Sequence, residues 1–361
     1  MHLVKEAAAR GHIGTVALPA NGALVELLRP FSGSFQIVIL RSRLWMGRRY
    51  TLPVGLVRFA QALCDLPGYL RLLKEEKFDA VVINSSVAPV PLIAAHLSGV
   101  PSLLMVRESL MTNPMLKSAF PKAVIRRLLS IWATDVVAIS EYVAGQIRSA
   151  STIIYPQVSQ EFLDFQPELR HDRFDQGLKA VMFGTVSPEK GQLDAIQAVR
   201  IARDRGTPVS LKLYGHGSDS DLSALRATIA KLGLQDSVAL KNSTSEVLQA
   251  YQPADISIVC SKNEAFGKVT AESVLAGRPV VAYGCGGTSE ILLHGGGICT
   301  DPNPTALAEA LSSIYDNEDL MHKLKKEAVL SPIRGKLASS AGEVLNRVEL
   351  LFTYKTSVRA P

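Results

Sequence analysis

The stretch NEAFGKVTAESVLAGRPVV, residues 263–281, decides the reading of this chain. It follows the apolar run Asp255-Ile-Ser-Ile-Val-Cys260, and its two glutamates, Glu264 and Glu272, have seven residues between them. They stand on either side of Phe266-Gly267-Lys268. The pattern predicts a buried strand over 256–260, a loop, a helix over 268–276 and a second strand over 279–282. Glu264 then lies in the loop at the strand's carboxyl end. Glu272 lies about one turn into the helix, near its positive terminus, and Gly267 allows the backbone to approach a ligand closely. Two carboxylates so placed can each accept hydrogen bonds from a pair of hydroxyls. The competing reading is a solvated helix residue and a loop charge.

Working outward, the same alternation of short apolar runs and amphipathic stretches fills the chain. In the second half it predicts further strands over 180–183, 209–214 and 237–241, with helices over 190–205, 220–232 and 305–315. In the first half it predicts strands over 13–18, 35–40, 79–84, 101–106, 135–139 and 152–155, with helices over 57–77 and 116–132. Strands alternating with helices imply parallel sheets covered by helices. The polar segment QEFLDFQPELRHDRFDQG, 160–177, is the best linker candidate. The expected fold class is α/β, two Rossmann-like doubly wound domains facing a cleft: an N-terminal domain over 1–160, a linker over 161–177 and a C-terminal domain over 178–335. Residues 336–361 form a closing helix with the option of packing back on the N-terminal domain. In such sheets ligands bind beyond the carboxyl ends of the strands.

At 361 residues, 47% hydrophobic and 20% charged, the composition is that of an ordinary globular chain. The four cysteines, at 64, 260, 285 and 299, and the seven histidines show no metal-ligand spacing. The amino terminus MHLVKEAAARGHIG has no apolar core of a secretory signal, so a cytoplasmic location is expected. Residues 87–106 carry no formal charge, but Pro89, Pro91 and Gly99-Val-Pro101 argue for a buried helix and strand rather than a membrane span.

Residues 1–150 hold 17 Lys and Arg against 9 Asp and Glu, whereas the whole chain carries only +6. The densest cluster, RSRLWMGRR at 41–49, interleaves arginines with Leu44, Trp45 and Met46. Three readings are open: peripheral contact with an anionic membrane surface through shallow insertion, a phosphate-bearing acceptor, or a loop whose Trp45 packs onto the core. No nucleic-acid partner is expected.

Two more segments bear on chemistry. In VMFGTVSPEKGQLDAI, 181–196, a strand ends before Gly184, and Pro188-Glu-Lys-Gly191 opens a helix. Its terminal N–H groups with Lys190 make a candidate anion site, against the alternative of a plain turn and a solvated lysine. LKLYGHGSDSDL, 211–222, ends another strand in Gly215-His-Gly217. It lacks the third glycine and the ribose-binding acid of the dinucleotide fingerprint, which disfavours a dehydrogenase.

Together these features resemble the donor-binding signature of nucleotide-sugar glycosyltransferases of the GT-B fold, family four (group 1 glycosyl transferases). The resemblance rests on Phe183-Gly184 with Glu189-Lys190-Gly191, Tyr214-Gly-His-Gly217, the segment from Glu264 through Gly287 and Glu290, and Asp301-Pro-Asn-Pro-Thr-Ala-Leu307. In the first half, Arg10-Gly11-His12, Phe78-Asp79-Ala-Val-Val82, Gly99-Val-Pro101 and Thr134-Asp135-Val-Val-Ala-Ile-Ser140 are similar to family landmarks. The resemblance implies a retaining, metal-independent transferase that holds a UDP- or GDP-sugar as donor substrate and no bound cofactor. Glu272 would hold the ribose hydroxyls, Glu264 those of the transferred sugar, and Lys190 the diphosphate. Gly184, Thr185, Gly215, Phe266, Gly267, Lys268 and Val269 would line the donor site. The implied acceptor is a glycan or lipid-linked sugar of the cell envelope, with Arg107, Glu108 and His12 on its side.

The chain departs from the family pattern at several places. Thr185 stands where an arginine is common, which makes Lys268 a candidate substitute. Val106-Arg107-Glu108 stands where a histidine often follows the fourth strand, and Pro156-Gln157 where Asn-Gly is usual. By the same comparison, the chain starts inside the first helix and lacks the family's first strand, implying either a longer product or a partial enzyme. A non-catalytic accessory protein and a nucleotide-sugar epimerase are the competing functions.

Overall fold

A computed structural model describes residues 1–48, 50, 52–147, 152–169 and 177–358, with side chains through Phe352 in the last helix. The chain forms two compact units, Met1–Gln157 with Ser339–Pro361, and Val158–Ala338.

In the first unit, β1 (Gly14–Leu18) and β2 (Phe35–Ile39) pair in parallel as a two-stranded sheet. A separate parallel sheet runs in the order β3 (Val81–Ile83), β4 (Ser102–Val106), β5 (Asp135–Ala138), β6 (Thr152–Ile153). Every residue of β4 is buried, as a central parallel strand covered on both faces requires. The uncharged stretch at 87–106 resolves into the Pro89–Leu97 helix and β4. Pro89 sits in the first turn, where its missing N–H costs nothing. Among the described residues no helix is long and apolar enough to cross a membrane.

The closing helix, Ser340–Val358, packs Val344, Val348 and Leu351 against Leu103, Met105, Val137 and Ile154. Arg347 Nε donates to Asp135 Oδ2 at 2.9 Å, joining this helix to the start of β5.

Two expectations are corrected in this unit, and of the readings open for Trp45 the one that packs it on the core holds. The helix expected over 57–77 is two, Val54–Leu63 and Leu66–Glu76. Pro67 opens the second, and a proline there cannot continue the preceding helix. The helix expected over 116–132 begins only at Lys122, because Pro121 holds an extended backbone ahead of it. Trp45 and Met46, candidates for membrane insertion, are each 1% exposed. The Trp45 indole donates to the Ser86 carbonyl at 2.9 Å, and its ring lies 5.9 Å from both Phe59 and Trp132. Arg49, the last arginine of that cluster, lies outside the described residues.

The second unit is one parallel sheet in the order β12-β11-β10-β7-β8-β9, with β7 Leu178–Phe183, β8 Val209–Tyr214, β9 Val238–Lys241, β10 Ile256–Val259, β11 Val280–Tyr283 and β12 Gly297–Thr300. Its core gathers Leu178, Ala180, Ile196, Val199, Leu211 and Ile256 between sheet and helices. Sequence periodicity missed β12, a four-residue edge strand with a glycine at its start. The segment expected to begin a linker at 161 forms instead the Gln160–Asp164 helix, with Phe162 and Leu163 buried. Residues 170–176 of that linker lie outside the described residues.

The order of this sheet locates the site. The chain runs outward from β7 to β9, then returns to place β10 on the other side of β7. The two loops after β7 and β10 therefore diverge and leave a crevice at their carboxyl ends.

Candidate active site

The loop after β7 begins at Gly184, whose φ of +143° is one that side-chain-bearing residues rarely adopt. It lies against the loop after β8, where a Cβ on Gly215 would come 2.0 Å from the Gly184 carbonyl oxygen. The Gln192 amide, buried in the next helix, holds this loop from below. It donates to the Thr185 carbonyl at 3.1 Å and accepts from the Ser187 N–H at 3.3 Å. Thr185 itself is exposed.

Lys190 and Glu264 meet across the crevice. The lysine ammonium, from the loop after β7, donates to Glu264 Oε1 in the loop after β10. Both side chains are partly open to solvent, so the pair remains exchangeable. Alongside, Lys262 Nζ lies 3.4 Å from Asp194 Oδ2, which also accepts from the Tyr283 hydroxyl at 3.0 Å. Burial with the neighbouring Cys260 and Asp194 pushes the Tyr283 hydroxyl up, so it stays protonated and donates to Asp194.

The loop after β10 ends at Gly267, with φ +94°, and the Lys268–Leu275 helix starts at once. A Cβ on Gly267 would stand 2.9 Å from Thr288 Oγ1, so only glycine fits the turn. No side chain caps this helix, which leaves its first-turn N–H groups directed at the crevice mouth. Phe266 is buried, and the next loop packs on its backbone, with Gly287 N–H donating to the Glu264 carbonyl at 3.0 Å. Val269 receives the buried Tyr251 hydroxyl on its carbonyl at 3.1 Å.

Glu272 is only 8% exposed. Burial raises its carboxyl above the usual range, and Lys268, with Nζ 3.3 Å from Oε1, pulls it back in part. Holding a carboxylate where solvation is poor is costly without hydrogen-bond donors. Lys268 is largely exposed and supplies one.

The structure thus brings Gly184, Thr185, Lys190, Gly215, Glu264, Phe266, Gly267, Lys268, Val269 and Glu272 to the carboxyl ends of adjacent strands of one sheet. Arg107, Glu108 and His12 belong to the first unit. Arg107 and Glu108 follow β4, where Arg107 Nη1 donates to Asn84 Oδ1 at 3.0 Å. Glu108 is engaged by the Ser85 and Ser86 hydroxyls and by the Ser86 and Arg107 N–H groups. Its carboxylate is a tie between the ends of β3 and β4. His12, expected beside these residues, precedes β1 and so lies at the amino end of its strand. Its Nε2 is 2.9 Å from Glu349 Oε1, and its ring packs edge-on to Phe352. That geometry makes His12 a packing contact of the closing helix.

Family models match both halves of the chain: Glycosyl transferases group 1 over residues 168–330, and the Glycosyl transferase 4-like domain over residues 1–153. Residues 168–330 belong to the group 1 glycosyl transferases, and residues 1–153 to the glycosyl transferase 4-like domains. Among solved structures, HepE of Anabaena, crystallised with UDP-glucose, is 21% identical with a TM-score of 0.74, covering 96% of this chain and 94% of that one. WaaG, a glycosyltransferase involved in lipopolysaccharide biosynthesis, has a TM-score of 0.63 at 15% identity, over 95% of this chain and 93% of that one. At these identities the likeness shows the fold, which is GT-B. Curated relatives include D-inositol 3-phosphate glycosyltransferase of Corynebacterium glutamicum, 31% identical over 42% of this chain and 38% of that protein. An exopolysaccharide phosphotransferase of Streptomyces coelicolor is 33% identical over 51% of this chain and 19% of that protein. The chain therefore matches well under half the length of these relatives.

In this group 1 domain, three supports of the site escaped the sequence reading: the Gln192 clamp, the Asp194–Tyr283–Lys262 network and the Thr270–Thr288 hydroxyl contact at 3.1 Å. A glutamine or threonine in a helix carries no signal of its own. Only the packing of one loop on another shows what it holds.

Proposed function

We propose that this chain transfers a hexose-type sugar from a UDP- or GDP-sugar to a glycan or lipid-linked acceptor in cell-envelope polysaccharide or glycoconjugate synthesis. The observation that carries the reading is the pairing of each glutamate with a lysine at one crevice, Lys190 with Glu264 and Lys268 with Glu272. A diphosphate entering between the two lysines would take over their charge. It would release Glu264 to the sugar hydroxyls and Glu272 to the ribose hydroxyls. The uncapped N-terminus at Gly267 would add backbone donors to the phosphates. Lys268 would supply the second cation that Thr185 does not.

The reaction would retain configuration and need no metal ion, with Lys190 and the helix N–H groups stabilising the departing nucleoside diphosphate. The acceptor oxygen would attack the anomeric carbon on the face from which the diphosphate leaves. As that bond breaks, the acceptor's proton would pass to the departing phosphate oxygen. Arg107, beside Asn84, is the acceptor-side candidate that keeps an exposed charge. The working location would be cytoplasmic, with peripheral contact of the first unit on an anionic membrane face.

The test is a thermal-shift screen of UDP, GDP and their sugars on the wild-type chain and on Glu272→Ala, followed by product analysis with the donor that binds. A ligand that stabilises only the folded chain raises Tm by mass action. Equal shifts in both proteins would overturn the role of Glu272. Binding without transfer or hydrolysis would assign an accessory protein, and donor epimerisation without acceptor would assign an epimerase.

A further inference from the structure

The Val54–Leu63 helix presents an anomaly. Gly55 and Ala62 face inward, with Gly55 closely packed on Ala119, and Phe59 contacts Phe120 at 5.0 Å between ring centroids. A helix with that inward face should turn a polar face outward. Only Arg58 and Gln61 do so here: Leu56 is 45% exposed and Val57 55%, and Leu52, Val54 and Leu63 are exposed as well. Several large apolar side chains exposed on one short segment mark a contact site.

The surroundings identify the partner's chemistry. Residues 41–64 contain five arginines and no acid, and residues 111–134 contain two lysines, two arginines and no acid; Arg43 is paired with Asp65 at 2.7 Å, and Arg49 lies outside the described residues. The fold joins these segments into one surface. Gly47 pairs with Lys117 through their backbones, and Trp45 packs on Phe120 and Trp132. Arg41, Arg48, Arg58, Lys117 and Arg127 are exposed on it, and Leu52 lines a shallow groove with Leu116, Lys117 and Phe120. The Lys122–Trp132 helix adds exposed Val124 and Ile131.

We infer that this surface, built on the Val54–Leu63 helix and the basic segments around it, docks on an anionic lipid bilayer, with Leu52, Val54, Leu56 and Val57 entering the headgroup region. This deepens the membrane contact proposed above and rests on that part of the reading. It moves the insertion away from Trp45 and Met46, which are core residues. A second copy of the chain is disfavoured, because a self-complementary contact would set two surfaces of net positive charge against each other. A nucleic acid would meet the cations but leave the aliphatic side chains uncovered. Of the rings that could stack on bases, Trp45 is buried, and Phe59, Phe120 and Trp132 pack against it.

The experiment is co-sedimentation of the full chain with vesicles of phosphatidylcholine alone and of equimolar phosphatidylcholine and phosphatidylglycerol. Binding should require the anionic lipid and weaken as salt is raised. Arg48→Gln with Lys117→Gln should lower the partition coefficient about fivefold per cation removed, the equivalent of ~1 kcal/mol each. Leu56→Asp with Val57→Asp should lower it at least about tenfold, since two inserted aliphatic side chains are lost. Its Tm should stay near that of the wild type because both positions are exposed. If that variant misfolds, the charge variant and the salt titration still decide the matter.

Equal binding to both vesicle types, or to neither, overturns the inference. So does a concentration-dependent dimer dispersed by Leu56→Asp/Val57→Asp, or tight oligonucleotide binding insensitive to that change. Nucleotide thermal shifts are read separately, so loss of vesicle binding leaves the donor-site reading standing, and the converse holds.

Discussion

Lys190 and Glu264 are 74 positions apart in the chain, and their side chains pair at the carboxyl ends of β7 and β10. The pair satisfies both charges, and it makes Glu264 a competitor for the cation that a diphosphate would need. Glu264→Gln should therefore tighten binding of the nucleoside diphosphate alone, by about threefold to tenfold, as expected for loss of a partly exposed ion pair and of one repulsive charge. The same change should slow sugar transfer, because the carboxylate proposed to orient the sugar is gone. Lys190→Met should weaken diphosphate binding at least about tenfold, the worth of a charge-assisted hydrogen bond. Calorimetric titration of UDP and GDP into both variants checks the opposite signs, and weaker binding in Glu264→Gln would refute the competition.

Glu272 sits at the opposite balance point. Burial lifts its carboxyl above the unfolded value, so the native state holds that proton more tightly than the unfolded chain does. Its contribution is then most favourable below the unfolded pKa and is lost as pH rises through the folded one. Near neutral pH the buried carboxylate costs stability, offset in part by Lys268. Glu272→Gln should raise the Tm of the ligand-free protein at pH 7 and flatten its fall between mildly acidic and neutral pH. It should also remove the nucleotide-induced shift. Melting curves across that pH range, with and without nucleotide, test both halves.

The central strands of both units were legible because a parallel strand covered on both faces reads as a nearly unbroken apolar run. Ser102–Val106 and Ile256–Val259 are such runs, fully buried. Glu264 and Glu272 could be placed on a loop and a helix by the glycine between them. What could not be read were contacts that depend on which loops the sheet order brings together. Nothing local to Glu108 announces Ser85 and Ser86 as its partners, because the contact needs the register of β3 on β4. For Trp45 the sequence leaves core packing and surface insertion both open, and only its contacts with the Phe59, Phe120 and Trp132 rings decide between them. The Gly297–Thr300 strand is too short, and too rich in small residues, for periodicity to register.

Gly215 tests how tightly the two strand ends must approach. An added methyl would lie 2.0 Å from the Gly184 carbonyl oxygen, backbone against side chain, with no flexible group to yield. Gly215→Ala should push the loops after β7 and β8 apart and cost about 1–3 kcal/mol, the usual toll of overpacking. Because the β7 loop carries Lys190, nucleotide affinity should fall with stability. Denaturant unfolding gives the first quantity, and a normal midpoint with normal nucleotide binding would show that the loops can part freely.

Arg334 anchors the far end of the helix that carries Glu272. Its guanidinium donates to the Phe162 carbonyl at 2.9 Å and to those of Leu163 and Leu275, at 2.5 and 3.1 Å. Leu275 ends the Lys268–Leu275 helix, where a cation is favoured by the helix dipole and where carbonyls lack intrahelical partners. One planar fork thus ties the short Gln160–Asp164 helix to the carboxyl end of the site helix. A lysine carries the charge but not the fork, so it can serve only part of that set. Arg334→Ala should destabilise the chain by about 2–4 kcal/mol, since it leaves three carbonyls without this donor. Arg334→Lys should recover less than half of that. Matched denaturant melts of the two variants measure the split. Full rescue by lysine would mean that charge at the helix end, and not the directed fork, holds the Glu272 helix in place.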